Sequence, residues 1–275
     1  MKKFLALVLA SLMVFAFVAC GGTGKDNNGA SDASNASNAS DTSDTTEKET
    51  LVMATNATFP PYELKEGDSF AGIDVEIAGK IAEKLGMTLE IKDVEFGSII
   101  GGVQTGKFDI GMAGMTVTDE RLKSVNFSDS YATGIQVVIV KSDSAIKSLD
   151  DLKGDGSMKF GVQQDTTGDI YASDTVENGG YGKDNVVRYK TGADAVQALK
   201  TGKVDAVIID NEPAKNFVKA NEGLSILNGD WVKENYAIAI AKDNTELLEK
   251  VNGALKELIA DGTVKAIIDK YIPAE

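Results

Sequence analysis

Two stretches of this chain repeat one phrase. QTGKFDIGMAG runs from Gln104 to Gly114, and KTGKVDAVIID from Lys200 to Asp210. In both, Thr-Gly-Lys is followed by an apolar residue and an aspartate. Phe96, Ile99, Ile100 and Val103 precede the first copy at helical spacing, and Ala193, Val196 and Leu199 precede the second. Gly106 and Gly202 are placed to stop those helices. Beyond the turn, Phe108, Ile110 and Met112 alternate as in a strand, while Val204–Ile209 is apolar except for Asp205. A strand apolar on both faces suits a parallel sheet covered by helices. The chain is therefore held to an α/β fold containing two corresponding helix–turn–strand units. One copy ends in glycines and the other in Asp210.

The remaining pattern extends each unit into a lobe. Leu51–Ala54 and Thr88–Ile91 read as strands, and Gly72–Gly86 as a helix with Ile77, Ile81 and Leu85 on one side. Gln136–Val140 is an extended apolar run. A second series has strands at Met158–Val162 and Asn185–Tyr189, with a helix near Gly168–Glu177 between them. Tyr236–Ala241 is extended again, and helices Thr245–Asp261 and Thr263–Ile272 close the chain. Taking 136–142 and 233–242 as hinge strands gives lobe 1 as 51–135 plus 243–275 and lobe 2 as 143–232. Two crossings make a hinge, and a hinged cleft closes on a ligand.

The start of the chain reads differently. Lys2 and Lys3 precede a nearly unbroken apolar run from Phe4 to Ala19. That run is shorter than the roughly twenty residues of a membrane span and has the form of a secretory leader. The single cysteine, Cys20, stands where cleavage should fall and cannot form an internal disulfide. Residues 20–50 continue with SDASNASNASDTSDTTE, whose apolar residues are alanines. Such a segment buries too little surface to fold and reads as a flexible tether. Of 28 basic residues, two lie in the leader; the other 26 face 42 acidic ones, a net charge of −16. That balance argues against nucleic acid or an anionic membrane surface as a partner.

Five segments carry a family resemblance. They are ATNATFPPYELKEGDSFAGIDVEIAGKIAEKLG (54–86), FGSIIGGVQTGKFDIGMAGMTVTDERLKSVNFSDSY (96–131), FGVQQDTTGDIYA (160–172), TGKVDAVIIDNEPA (201–214) and NYAIAIAKDNTELLEKVNGALKELIADGTVKAIIDKYI (235–272). Together they resemble the extracytoplasmic substrate-binding proteins of ABC importers, in the family for polar amino acids (glutamine, arginine, histidine, cystine). The resemblance implies the two-lobed type II periplasmic-binding-protein fold, with two hinge crossovers and the ligand cleft between lobes. It implies binding of a free L-amino acid, polar or basic, and delivery to permease subunits served by a cytoplasmic ATPase. Residues 1–19 resemble a bacterial lipoprotein signal, although Phe17-Val18-Ala19 is looser than the usual sequence before the cysteine. That implies a diacylglyceryl thioether, palmitate-type, on Cys20. The protein would then be a monomer held by its lipid anchor alone to the outer face of the cell membrane, or on the periplasmic side in a Gram-negative cell.

The resemblance also assigns residues. Thr118-Asp119-Glu120-Arg121 reads as a helix start capped by Thr118. A first turn is a poor place for a cation by the helix dipole, and Arg121 alone reads as a surface arginine answering Asp119 or Glu120. The family makes it the clamp on the ligand carboxylate, for which a planar fork is suited. Gly114 and Thr116 lie just past a strand's carboxyl end, where open α/β sheets collect ligands. By resemblance the Gly114 carbonyl and Thr116 hydroxyl accept from the ligand ammonium, while the Thr116 and Thr167 amides help hold the carboxylate. Asp210 takes the α-ammonium from the other lobe; its alternative role is to cap a helix at Glu212–Val218. Phe59 and Phe96 match positions that sandwich the ligand side chain. Gln163 and Asn56 match positions near its far end. Binders of basic amino acids often carry aspartate where Asn56 stands, so asparagine tilts toward an uncharged polar ligand. Tyr62 packs beneath this loop. Asp165 replaces a usual glycine, an exchange that a positive φ would tolerate less well.

Other chemistries lack their parts. The chain has no histidine, and its only thiol is Cys20. No Ser-His-Asp or Cys-His pair and no His-based metal site can form, and the glycines do not fit a nucleotide fingerprint. No enzyme activity, cofactor or metal is expected. Two alternatives stand beside transport: a sensor lipoprotein passing ligand to a signalling receptor, and a dehydratase-like enzyme on the same fold.

Overall fold

The structure, a computed structural model, describes residues 49–153, 156–229 and 231–273. The leader, Cys20 and nearly all of the expected tether lie outside those residues. The chain opens with β1 (Thr50–Thr55), then a small antiparallel sheet of β2 (Thr58–Phe59), β3 (Glu63–Glu66) and β4 (Ser69–Ala71). α1 (Ile73–Leu85), β5 (Thr88–Asp93), α2 (Ile99–Gln104), β6 (Ile110–Gly111), α3 (Asp119–Ser124) and β7 (Val125–Phe127) follow. The middle of the chain holds β8 (Ala132–Lys141), β9 (Phe160–Gln163), α4 (Thr167–Ser173), β10 (Val186–Tyr189), α5 (Gly192–Lys200), β11 (Ala206–Asp210), α6 (Asn211–Ala220), β12 (Leu224–Ile226) and β13 (Val232–Tyr236). β14 (Ala239–Ala241), α7 (Thr245–Ala260) and α8 (Thr263–Tyr271) end it.

Two larger sheets result. The first runs β5-β1-β6-β14-β7, with β1 parallel to both β5 and β6. The second runs β10-β9-β11-β8-β12, with β9 parallel to β10 and β11 and with β13 also on β8. All five residues of β11 are buried, as its apolar run requires. Burying each large apolar side chain in such a strand contributes about 1.5–3 kcal/mol.

The repeated phrase forms the same turn twice. Gly106 and Gly202 have φ of 72° and 74°, the left-handed conformation that ends a helix. Lys107 N donates to the Gly102 carbonyl and Lys203 N to the Ala198 carbonyl, both at 2.9 Å. Thr105 and Thr201 hydroxyls donate back to carbonyls four residues earlier, at 2.9 and 3.0 Å. The recurring aspartates have one job. Asp109 accepts from Val52 N at 2.7 Å, and Asp205 accepts from Lys159 N at 2.8 Å. Each thus pins the chain near the start of the neighbouring parallel strand.

The crossings sit elsewhere than 136–142. β8 is ten residues long and belongs wholly to the second sheet. The chain therefore leaves the first sheet at 128–131, and it returns at 237–238, between β13 and β14. The two passages are tied together: Ser128 N donates to the Ile238 carbonyl at 2.9 Å, and Ile238 N to the Ser128 hydroxyl at 3.0 Å. Apolarity marks a strand but does not say which sheet receives it.

Candidate functional site

Two pairs of parallel strands, β1 with β6 and β9 with β11, bring their carboxyl ends to one place. β1 leads into Asn56 and Phe59, and β6 into Ala113, Gly114 and Thr116. β9 ends at Gln163 and leads into Thr166 and Thr167, and β11 ends at Asp210. These residues, with Glu63, Phe96 and Arg121, line one nearly filled pocket with about 10 Å³ of free space. Every ligand-binding residue expected from the sequence lies on its wall. Glu63, Ala113 and Thr166 were not anticipated.

Arg121 is buried, at 8% exposure, in the first turn of α3. Thr118 caps that helix, its hydroxyl accepting from Arg121 N at 3.2 Å. The guanidinium does not answer Asp119 or Glu120. Nη1 donates to the Thr116 carbonyl at 2.8 Å, and Nη2 crosses to the Asp165 carbonyl beyond β9 at 3.1 Å. The Phe96 ring lies 5.2 Å from its centre, within cation–π range. Burial lowers the guanidinium's pKa, and Glu234, Tyr171, Asp210 and Asp165 oppose that shift.

Asp210 faces the cavity from the second sheet. It occupies the N-cap position of α6, yet its side chain makes no capping bond. It accepts from the Tyr236 hydroxyl instead. Burial, then nearby Glu234, raises its pKa. A buried carboxylate of this kind is stabilised by a cation. The sites of Arg121 and Asp210 are thus set on elements from different sheets.

Gly114 is required twice over. Its φ is +50°, and a Cβ there would come within 2.9 Å of the Phe59 ring. Its N–H donates to Asp74 Oδ2 at 2.8 Å, so the start of α1 holds this loop in place. Asp74 is fully buried and also accepts from the Tyr131 hydroxyl at 2.8 Å. Burial pushes its pKa up to about 6. Glu63 is hydrogen-bonded to Asp74, and burial followed by the Asp74 charge pushes its pKa well above the usual range.

The amides of Asn56 and Gln163 are joined. Gln163 Nε2 donates to Asn56 Oδ1 at 2.9 Å, a bond from the second sheet's β9 to the loop after β1. Asn56 Oδ1 also accepts from Thr58, and Nδ2 donates to the Val94 carbonyl at 2.8 Å. Thr167 is buried, its hydroxyl 3.4 Å from Gln136 Nε2. Tyr62 lies beneath the loop, edge-on to Tyr236 at 5.1 Å. Asp165 has φ +64°, so the position does demand the left-handed conformation natural to glycine. Its carboxylate lies against the backbone of Gly97, where a Cβ would overlap it. Lys190 and Glu95 add an exposed ion pair at 2.7 Å between the two halves.

A family described as bacterial extracellular solute-binding proteins, family 3, matches residues 51–274. The arginine-binding extracellular protein ArtP of Bacillus subtilis is 34% identical over 278 residues, covering 100% of both chains. The ABC transporter glutamine-binding protein GlnH of the same species is 31% identical, again over 100% of both. Among solved structures, an ancestral arginine-binding protein bound to glutamine is 41% identical, with a TM-score of 0.74. That match covers 82% of this chain and 99% of the other.

Proposed function

The chain belongs to family 3 of the bacterial extracellular solute-binding proteins, and on that footing we propose how its cavity holds the ligand. The protein binds a free polar or basic amino acid outside the cytoplasmic membrane and delivers it to the permease of an ABC importer. Its relatives are binding proteins, and it is a binding protein rather than an enzyme.

The observation that carries our assignment is the placement of Arg121 and Asp210 on one cavity from two different sheets. The Arg121 fork takes the ligand carboxylate, with the Thr116 and Thr167 amides beside it. Asp210, the Thr116 hydroxyl and the Gly114 carbonyl take the α-ammonium. Phe59 and Phe96 cover the side-chain stem, and Asn56 and Gln163 stand near its far end. The two sheets serve as the lobes, and the passages at 128–131 and 237–238 are the hinge. Cys20 is the lipid attachment site, and the anchored protein is a monomer. No described helix is long and apolar enough to cross a membrane.

Residues 46–275 form one compact unit and can be studied alone. After unfolding and refolding to strip any carried ligand, this fragment should bind at least one L-amino acid one to one. A dissociation constant of about 1 μM or tighter, roughly −8 kcal/mol, is expected. Titration calorimetry that finds no heat across the twenty amino acids, cystine and ornithine would refute the assignment.

A further inference from the structure

Among the described residues, Asp165 is the one non-glycine residue with a positive φ, +64°. An L side chain is disfavoured in that conformation, which persists where the surrounding structure enforces it. The Asp165 side chain does not enforce it, since its bond with Gln164 Nε2, at 3.3 Å, is exposed. The backbone is held instead, from two directions. The carbonyl accepts from Arg121 Nη2 at 3.1 Å, and the N–H donates to Asp169 Oδ2, also at 3.1 Å.

Asp169 is itself fixed on both oxygens. It is buried, at 5% exposure, and is not on the wall of the ligand cavity. Oδ1 accepts from the Ser173 hydroxyl at 2.8 Å, and Oδ2 accepts from Arg188 Nε at 2.9 Å besides Asp165 N. Arg188 Nη2 closes the ring by donating to the Ser173 hydroxyl at 2.8 Å. Arg188 stands on β10, in register with Val162 of β9, so the brace rests on the sheet that leads into the loop. A capping box would be a simpler use of Asp169. Thr166 is the N-cap of α4, and its hydroxyl accepts from Asp169 N at 3.4 Å. In such a box the acid reaches back to the N–H of the N-cap residue itself. Here the Thr166 N–H turns to the Gln163 carbonyl at 3.5 Å, and the Asp169 carboxylate goes one residue further, to the strained one.

We propose that Asp169, locked by Arg188, is a positioning residue for the carboxylate end of the ligand site. It holds Asp165 in the left-handed conformation that brings the Asp165 carbonyl to Arg121 and Thr167 to the cavity wall. A glycine at 165 would take that conformation unaided; aspartate needs the brace. The proposal rests on the amino-acid-binding reading above and extends it to residues that do not touch the ligand.

The test is a double-mutant cycle read by calorimetry on the refolded 46–275 protein. The probes are L-arginine and L-glutamine, or another member of the amino-acid panel if wild type binds it more tightly. Asp169→Ala should weaken binding about tenfold, the scale of a lost hydrogen bond to a charged group. In an Asp165→Gly background the same change should cost no more than about twofold, as for sites that no longer couple. Damage to α4 alone would not be relieved by that glycine. Thermal melts check folding, and Arg188→Ala supplies a second cycle at a side chain 39% exposed. Its loss should be smaller, about threefold, and should also shrink with Gly at 165. Wild-type affinity in both Ala variants, or a loss undiminished by Asp165→Gly, overturns the proposal and leaves amino-acid binding intact. No heat from wild type with any member of the panel overturns the binding reading as well.

Discussion

A guanidinium at 8% exposure, bonded to the carbonyls of Thr116 and Asp165, is costly to bury unless something else uses it. Losing Arg121 should leave a bound carboxylate without its partner, at about 2–5 kcal/mol, or at least about thirtyfold in affinity. Calorimetry on Arg121→Ala should show that loss. Arg121→Lys should recover only part, because an ammonium cannot make two parallel bonds from one plane. The buried acids give a second prediction. Asp74 is raised to about 6, whereas an unfolded aspartate titrates near about 3.9. Between those values the native state binds more protons, so stability falls as pH rises, by up to about 3 kcal/mol from this group. Glu63 and Asp210, raised by burial, extend the decline to higher pH. The ligand-free protein should melt at a higher temperature at pH 5 than at pH 8; a flat or reversed profile would contradict this. Arg121 and Asp210 were singled out through the family resemblance, since Arg121 alone reads as a surface arginine and Asp210 as a helix cap, and both line the cavity. Glu63 was not. ELKE at 63–66 reads as a solvated edge, and only pairing of Glu63 with Phe59 across the hairpin turns the first acid inward.

At the scale of elements, the loop after β9 and the turn before α2 meet through Asp165 and Gly97. The substitution of aspartate for glycine was visible in the sequence, and so was its conflict with positive φ. Its neighbour was not, because Gly97 lies in the other half of the cleft and no local pattern links the two. A methyl on Gly97 would overlap the Asp165 carboxylate, but both residues are exposed and that carboxylate can swing aside, so Gly97→Ala should change ligand affinity by no more than about 0.5 kcal/mol. A much larger loss by calorimetry, recovered on adding Asp165→Gly, would contradict this and show the carboxylate held fixed in the closed cleft. The duplicated turn shows the reverse case. Its glycines and threonines announced themselves by repetition, and the structure adds why aspartate recurs: Asp109 and Asp205 each hold the N–H near the start of an adjacent strand.

For the whole molecule, the α/β class and the pair of corresponding units followed from periodicity, and the return passage at 237–238 falls within the expected 233–242, while the outgoing passage did not follow. The 136–140 run is apolar because β8 is buried between β11 and its antiparallel partners, not because it crosses. The outgoing passage at 128–131, Ser-Asp-Ser-Tyr, is short and mostly polar, and the bonds of Ser128 to Ile238 tie it to the apolar return passage at 237–238. Among the described residues, bonds that span the cleft beside the ligand cavity include Arg121 to Asp165, Gln163 to Asn56, and Lys190 to Glu95. The last is exposed and worth little, so closure should depend on the ligand that Arg121 and Asp210 grip together. Small-angle scattering of the refolded 46–275 protein tests this directly. The ligand-free protein should be more extended than this structure and contract to match it on adding a bound amino acid, while Arg121→Ala at the same ligand concentration stays extended. Contraction of Arg121→Ala to the wild-type profile, with wild-type affinity, would contradict the account and return Arg121 to the surface.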